Sequence, residues 1–255
     1  MEDSLQNRRR MNRINLKNIA VILAGGSGTR LGDELPKQFL QVAGKKIIEH
    51  TIEVFEDAPS IDEIAIVVKS DFLKDVELIV NQNNYRKVKH VLHGGKERYD
   101  SSLSAIRAYD EEVNLLFHDA VRPLVDNRII EDCIRALQIY DAVNVATPST
   151  DTIVQVDLSN CIAHIPDRSL LRNSQTPQCF KRSVILQAYE NALNDPNFRT
   201  TDDCGVVKKY LPETPIYVVE GDVSNMKLTY KEDLFLLEKL FLSKSAGRKG
   251  AEPQS

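Results

Sequence analysis

The 255-residue sequence contains no tryptophan, three methionines and four cysteines, none spaced as Cys-x-x-Cys. Scattered cysteines (Cys133, Cys161, Cys179 and Cys204) argue against a structural zinc site and fit small, mostly buried side chains of a reducing compartment. No apolar run approaches the ~18 residues that span a bilayer. No GxSxG or HExxH pattern occurs, so serine-hydrolase and zinc-protease chemistry lack their residues. Neither sign of charge dominates, and a net of −4 argues against a protein built to coat nucleic acid, which would need a basic face. There is no linker rich in Gly, Ser or Pro and no internal repeat, so a single domain is expected.

What is there is ordinary for a globular protein: 42% hydrophobic and 27% charged residues, enough to bury a large core without a staple. Residues 1–17 carry Arg8, Arg9, Arg10, Arg13 and Lys17 but no apolar segment, and read as a disordered basic leader rather than a secretory signal. Residues 243–255 read as a disordered tail, which leaves 18–242 as the domain, in a soluble, cytoplasmic protein.

Within that span short apolar runs alternate with amphipathic stretches. Strands are expected at Ile19–Leu23, Ile64–Val68, Val88–Leu92, Asn114–Phe117, Val143–Ala146 and Ile216–Val219. Helices are expected at Ile47–Phe55, Asp71–Val80, Ser101–Tyr109, Ile129–Tyr140, Ser183–Leu193 and Glu232–Phe241. This rhythm implies an α/β fold with a mostly parallel sheet and helices on both faces. Residues 150–168 break it, with two short β-like pieces around Asp157-Leu158-Ser159-Asn160. They read as a projecting β-arm.

Open α/β sheets bind ligands beyond the carboxyl ends of their strands. After the first strand comes Leu23-Ala24-Gly25-Gly26-Ser27-Gly28-Thr29-Arg30-Leu31-Gly32, whose glycines let main-chain N–H groups approach a phosphate. With Arg30 and Lys37 it suits a triphosphate; a tight turn with surface cations is the plainer alternative. The loop is not a Walker A loop, since Pro36 precedes Lys37. Nor is it a dinucleotide fingerprint, since Leu31 stands where the third glycine belongs.

Asp119, in His118-Asp119-Ala120-Val121-Arg122-Pro123, is placed to hold Mg²⁺ beside phosphates, with a turn or cap role as the alternative. Arg122 can meet an anionic substrate, and His118 reads as structural. Gly94-Gly95-Lys96-Glu97-Arg98-Tyr99-Asp100-Ser101 offers backbone and hydroxyl groups for a base edge, or else a capped helix start. Lys227, in an apolar run, needs an anion such as phosphate, or snorkels at an edge.

In order, AGGSGTRLG with PKQF, GGKER, HDAVRP, QTPQ, TDD and the late N-x-K-x-T segment resemble the alditol-phosphate cytidylyltransferases, over about Ile19–Leu242. The resemblance implies a Rossmann-like nucleotidyltransferase domain that uses CTP and Mg²⁺ and forms a homodimer through the β-arm. It assigns Arg30, Lys37 and Lys227 to catalysis. It assigns Leu23, Ala24, Gly25, Gly26 and Gly28 to the triphosphate loop, Gly95 and Ser101 to cytosine, and Asp119 to the nucleotide and its metal. Arg122, Thr152 and Arg168 are assigned to the alditol phosphate, the last two reaching across from a neighbouring subunit. One branch of the family acts on 2-C-methyl-D-erythritol 4-phosphate, the other on ribitol 5-phosphate. Leu31, Ser224 and Lys96 depart from the first branch and point to ribitol 5-phosphate. A sugar-1-phosphate nucleotidyltransferase shares the first loop but not HDAVRP or QTPQ. A non-enzymatic nucleotide-binding module would not need cations at both ends of the triphosphate, and a dinucleotide oxidoreductase is weakened by Leu31.

Overall fold

The computed structural model describes residues 16–26 and 35–249, with side chains up to Ser243. The run Ile-Ala-Val-Ile-Leu-Ala forms β1 (Asn18–Ala24), buried on both faces as a central parallel strand must be. The seven-stranded sheet has the order β11-β7-β10-β6-β1-β4-β5. Its other members are β4 (Glu63–Val68), β5 (Val88–His93), β6 (Asn114–Asp119), β7 (Ala142–Pro148), β10 (Arg172–Lys181) and β11 (Ile216–Glu220). All neighbours pair parallel except β10, which runs antiparallel to both β6 and β7.

The alternation of side chains along β1 divides the core. Ala20, Ile22 and Ala24 face α1 (Ile47–Asp57), α2 (Leu73–Asn83) and α4 (Asn127–Leu137). Ile19, Val21 and Leu23 face α3 (Arg98–Arg107), α5 (Arg182–Leu193) and α6 (Asp203–Tyr210). Helix α1 buries Ile48, Ile52 and Phe55, an i, i+4, i+7 stripe. The Asp126 side chain caps α4 by accepting from the Ile129 N–H at 2.9 Å.

The expected strands and helices are all present. Among the elements not expected are β10, α6 and a short hairpin over residues 41–46. Strand β10 holds Asn173-Ser174-Gln175-Thr176-Pro177-Gln178, with no apolar alternation, and its pairing with β7 shifts register between Ser174 and Gln178. A small third cluster (Val42, Ile47, Leu124, Leu228 and Leu237) ties the hairpin β2 (Gln41–Val42)–β3 (Lys45–Lys46) to the last helix, α7 (Glu232–Lys249). Helix α7 continues past Leu242, where the sequence reading ends the domain. Among the described residues, no helix is long and apolar enough to cross a membrane.

The arm is a small antiparallel hairpin, β8 (Gln155–Val156) with β9 (Ile162–His164). Asp157 Oδ1 closes its turn by accepting from the Ser159 and Cys161 N–H groups. Residues 150–165 are exposed throughout, including Val156, Leu158, Ile162 and Ile165.

Candidate active site

Strands β1 and β6 are neighbours from which the chain leads in opposite directions along the sheet, from β1 to β4 and from β6 to β7, so a crevice opens beyond their carboxyl ends. A cleft of about 520 Å³ lies there. Leu23, Ala24, Gly25 and Gly26 line it from β1, and Asp119, Ala120 and Val121 from β6. Lys69, Gly95, Lys96 and Ser101 form one side, with Lys37, Lys227 and Thr229 on the cleft as well. Its described lining carries Lys37, Lys69, Lys96, Arg98 and Lys227 against only Glu97 and Asp119, a charge balance made for a polyanion.

Close packing around Ser101 explains two of the glycines, Gly94 and Gly25. A Cβ on Gly94 would stand 2.7 Å from Ser101 Oγ, and one on Gly25 3.2 Å from it. Buried Gln38 donates to the Ala24 carbonyl at 2.6 Å, which fixes the end of β1 to the short turn Lys37–Phe39. Lys37 Nζ donates to the Thr229 carbonyl at 2.6 Å.

Asp119 is the hub. Its Oδ1 meets Arg98 Nη1 at 2.9 Å, and its Oδ2 meets Lys227 Nζ at 3.0 Å and Arg122 Nε at 3.5 Å. Burial opposes its ionisation, but Arg98, Lys227 and Arg122 together outweigh burial and hold the carboxyl well below the usual carboxylate range. Arg122 lies beneath Asp119 rather than on the cleft lining, and donates from Nη1 to the Asn225 carbonyl at 2.8 Å. Asn225 Nδ2 in turn donates to the Thr176 carbonyl at 2.8 Å and to Gln175 Oε1 at 3.2 Å.

His118 is structural, as its sequence context implied. Its Nε2 lies 3.0 Å from the Arg122 carbonyl, so Nε2 carries the proton and Nδ1 accepts from the Thr176 hydroxyl at 3.0 Å. Burial pushes its pKa down to about 4. Below about 6.5 the unfolded chain takes up a proton that the folded protein refuses until about 4, so stability falls with pH across that window. The loss amounts to roughly 3 kcal/mol at 1.36 kcal/mol per pKa unit. His118→Gln should flatten this slope by about that amount. Urea unfolding of both proteins at pH 7 and pH 4.5 checks it; parallel slopes would refute it.

Of the residues singled out from sequence, Leu23, Ala24, Gly25, Gly26, Lys37, Gly95, Ser101, Asp119 and Lys227 meet at the cleft. Gly28 and Arg30 lie outside the described residues. Thr152 and Arg168 sit on the arm, away from this cleft, where Arg168 Nη1 donates to the Thr150 carbonyl at 3.2 Å. Sequence reasoning gave no role to Arg98, Gln38, Lys69 or Asp203. Arg98 carried a signal: it is the first residue of α3, where the helix dipole disfavours a cation, so it must answer to carboxylates elsewhere.

A mostly parallel sheet with a glycine loop after its first strand and a cation-lined cleft at the switch point is the architecture of a nucleotidyltransferase. The family model for IspD, 2-C-methyl-D-erythritol 4-phosphate cytidylyltransferase, matches residues 18–243, and the chain belongs to this family of alditol-phosphate cytidylyltransferases. It is 45% identical over 228 residues to the 2-C-methyl-D-erythritol 4-phosphate cytidylyltransferase of Thermobifida fusca, covering 87% of this chain and 92% of that protein. It is also 45% identical over 233 residues to the bifunctional ribulose 5-phosphate reductase/CDP-ribitol pyrophosphorylase Bcs1 of Haemophilus influenzae. That match covers 90% of this chain and 49% of that protein, so the chain spans about half its length. The crystal structure of 4-diphosphocytidyl-2C-methyl-D-erythritol synthase from Anaerococcus prevotii superposes with a TM-score of 0.80 at 29% identity, over 89% of this chain and 96% of that one. The chain is therefore a CTP-dependent cytidylyltransferase.

Proposed function

We propose that the protein converts CTP and D-ribitol 5-phosphate to CDP-ribitol and diphosphate. The observation that carries the transfer chemistry is the cleft itself, whose described lining sets five cations against two carboxylates, one of them Asp119. The alditol rests on Lys96, which lines the cleft, and on Leu31 and Ser224. Likeness to the Haemophilus influenzae CDP-ribitol pyrophosphorylase supports the same reading. A second reading, 2-C-methyl-D-erythritol 4-phosphate as substrate, is favoured by the family model and the Thermobifida fusca relative.

A phosphate oxygen of the substrate attacks the α-phosphorus of CTP in line. One P–O bond forms there, and the bond to the β-phosphate bridge breaks, its electron pair leaving with diphosphate. The nucleophile is a phosphate monoester with a second pKa near ~6, already ionised at neutral pH, so no general base is needed. This fits a site whose neighbouring histidine, His118, is buried and committed to Thr176 and Arg122. The residues' task is to bring two polyanions together and offset charge on five-coordinate phosphorus, which Lys37, Lys227 and Arg30 would do.

Among the described residues no three His, Cys, Asp or Glu side chains form a metal cage. One ionised carboxylate facing a cationic phosphate cleft fits Mg²⁺, which usually takes one or two carboxylates and completes its shell with phosphates and water. Asp119 would hold it, and the ion would draw charge from the departing diphosphate. Thr152 and Arg168 would reach the substrate phosphate of a second copy, through a homodimer built on the exposed arm.

Diphosphate release with CTP and Mg²⁺, run in parallel with the two alditol phosphates, tests the reading. Strong release with ribitol 5-phosphate alone is expected. Release with 2-C-methyl-D-erythritol 4-phosphate alone would transfer the protein to the other branch.

A further inference from the structure

Arg98 joins two carboxylates that do different jobs. Its Nη1 meets Asp119 Oδ1 at 2.9 Å, and its Nη2 meets Asp203 Oδ2 at 3.1 Å. Asp203 is 0% exposed and absent from the cleft lining. Its other oxygen accepts the Tyr189 hydroxyl at 2.6 Å, and its backbone N–H donates to Gln178 Oε1 at 3.0 Å. The carboxylate is thus held from two sides, by Arg98 and Tyr189, and its backbone is anchored by Gln178. A buried ion pair is a weak device for stability alone, because well-packed apolar side chains often serve as well. Its orientation matters more. A guanidinium beside a lone carboxylate tends to a two-pronged grip on both oxygens. Here Asp203 occupies one prong, so Arg98 takes only Oδ1 of Asp119 and leaves Oδ2 turned to Lys227 at 3.0 Å.

We propose that Asp203 and Tyr189 are positioning residues for cytidylyl transfer that act through Arg98. They keep the guanidinium from closing on both Asp119 oxygens, so that Oδ2 stays available to Lys227 and to the phosphate end of the cleft. The inference rests on the proposed role of Asp119 in the transfer.

The test is a double-mutant cycle between Asp203→Asn and Asp119→Asn, with Tyr189→Phe as a milder third variant. Asp203→Asn keeps the side-chain volume but removes the negative charge and leaves one acceptor oxygen for two donors, Arg98 Nη2 and the Tyr189 hydroxyl. Its kcat should fall about 10- to 100-fold, with KM for CTP changed less than about threefold. The affinity of the enzyme–CTP complex for Mn²⁺, read by electron paramagnetic resonance, should weaken by about the same 10- to 100-fold factor. Added to Asp119→Asn, Asp203→Asn should cost nothing further on either readout. Tyr189→Phe should show the same pattern at about three- to fivefold. A lowered melting temperature with kcat and Mn²⁺ affinity unchanged in Asp203→Asn, or additive losses in the double variant, would reduce the network to a structural one. Should Asp203→Asn not fold, wild-type values in Tyr189→Phe overturn the proposal. If Asp119→Asn itself keeps full activity, the assignment of Asp119 has failed instead, and the two failures are told apart.

Discussion

Asp119→Asn is expected to lower kcat by about two to three orders of magnitude while tightening metal-free CTP binding. The opposite signs follow from the charges around it. Arg98, Arg122 and Lys227 all face this one carboxylate. Removing its charge makes the cleft more positive, and a tetra-anionic nucleotide gains from that when no divalent ion is present. The transfer step loses, because Lys227 is no longer held at its 3.0 Å station and a divalent ion would lose the carboxylate proposed to hold it. Calorimetric titration with CTP, with and without Mg²⁺, beside steady-state kinetics separates the two effects. A variant within threefold of wild-type kcat, or one that binds free CTP more weakly, would remove Asp119 from the centre of the site.

The second large effect is expected at Lys37. Lys37→Ala should reduce kcat by about two to three orders of magnitude and shift KM for CTP by less than about fivefold. The ammonium sits on a rigid platform. Phe39 is buried below it, Gln38 is bonded to the Ala24 carbonyl, and Nζ itself is held at 2.6 Å by the Thr229 carbonyl. In the proposed role, a cation fixed in this way would stabilise most the charge that develops at phosphorus during transfer, and binding alone would gain less from it. Lys37→Arg should restore little, because a planar guanidinium cannot take the same point-charge position. A Lys37→Ala enzyme with raised KM and intact kcat would make the residue a simple binding group.

The sheet and its helices were legible because central strands and amphipathic helices carry strong periodicity, as Ile19–Leu23 and Ile48/Ile52/Phe55 do. Strand β10 was not, since only Cys179 and Phe180 of its side chains join the main core. Gln175, Thr176 and Gln178 bond to Asn225, His118 and Asp202, and leave no apolar alternation to read. Helix α6 is eight residues long and opens on Asp202-Asp203, where a cap and a buried ion pair share adjacent positions. In the cleft, glycines and cations after strand ends announced themselves by residue type. The pairing of Arg98 with Asp203, 105 residues away, is a fact of tertiary structure that local spacing does not encode.

The contact between Lys37 and Thr229 spans 192 positions of sequence. It makes the working site a late product of folding. During synthesis from the amino terminus, β1 to β6 can pair and bury their helices long before Lys227, Leu228 and Thr229 leave the ribosome. Leu228 then closes the cleft by donating its N–H to the Val121 carbonyl at 2.9 Å. A nascent chain therefore carries a folded nucleotide scaffold with no competent centre, and the enzyme comes into being only when its final segment docks on its first.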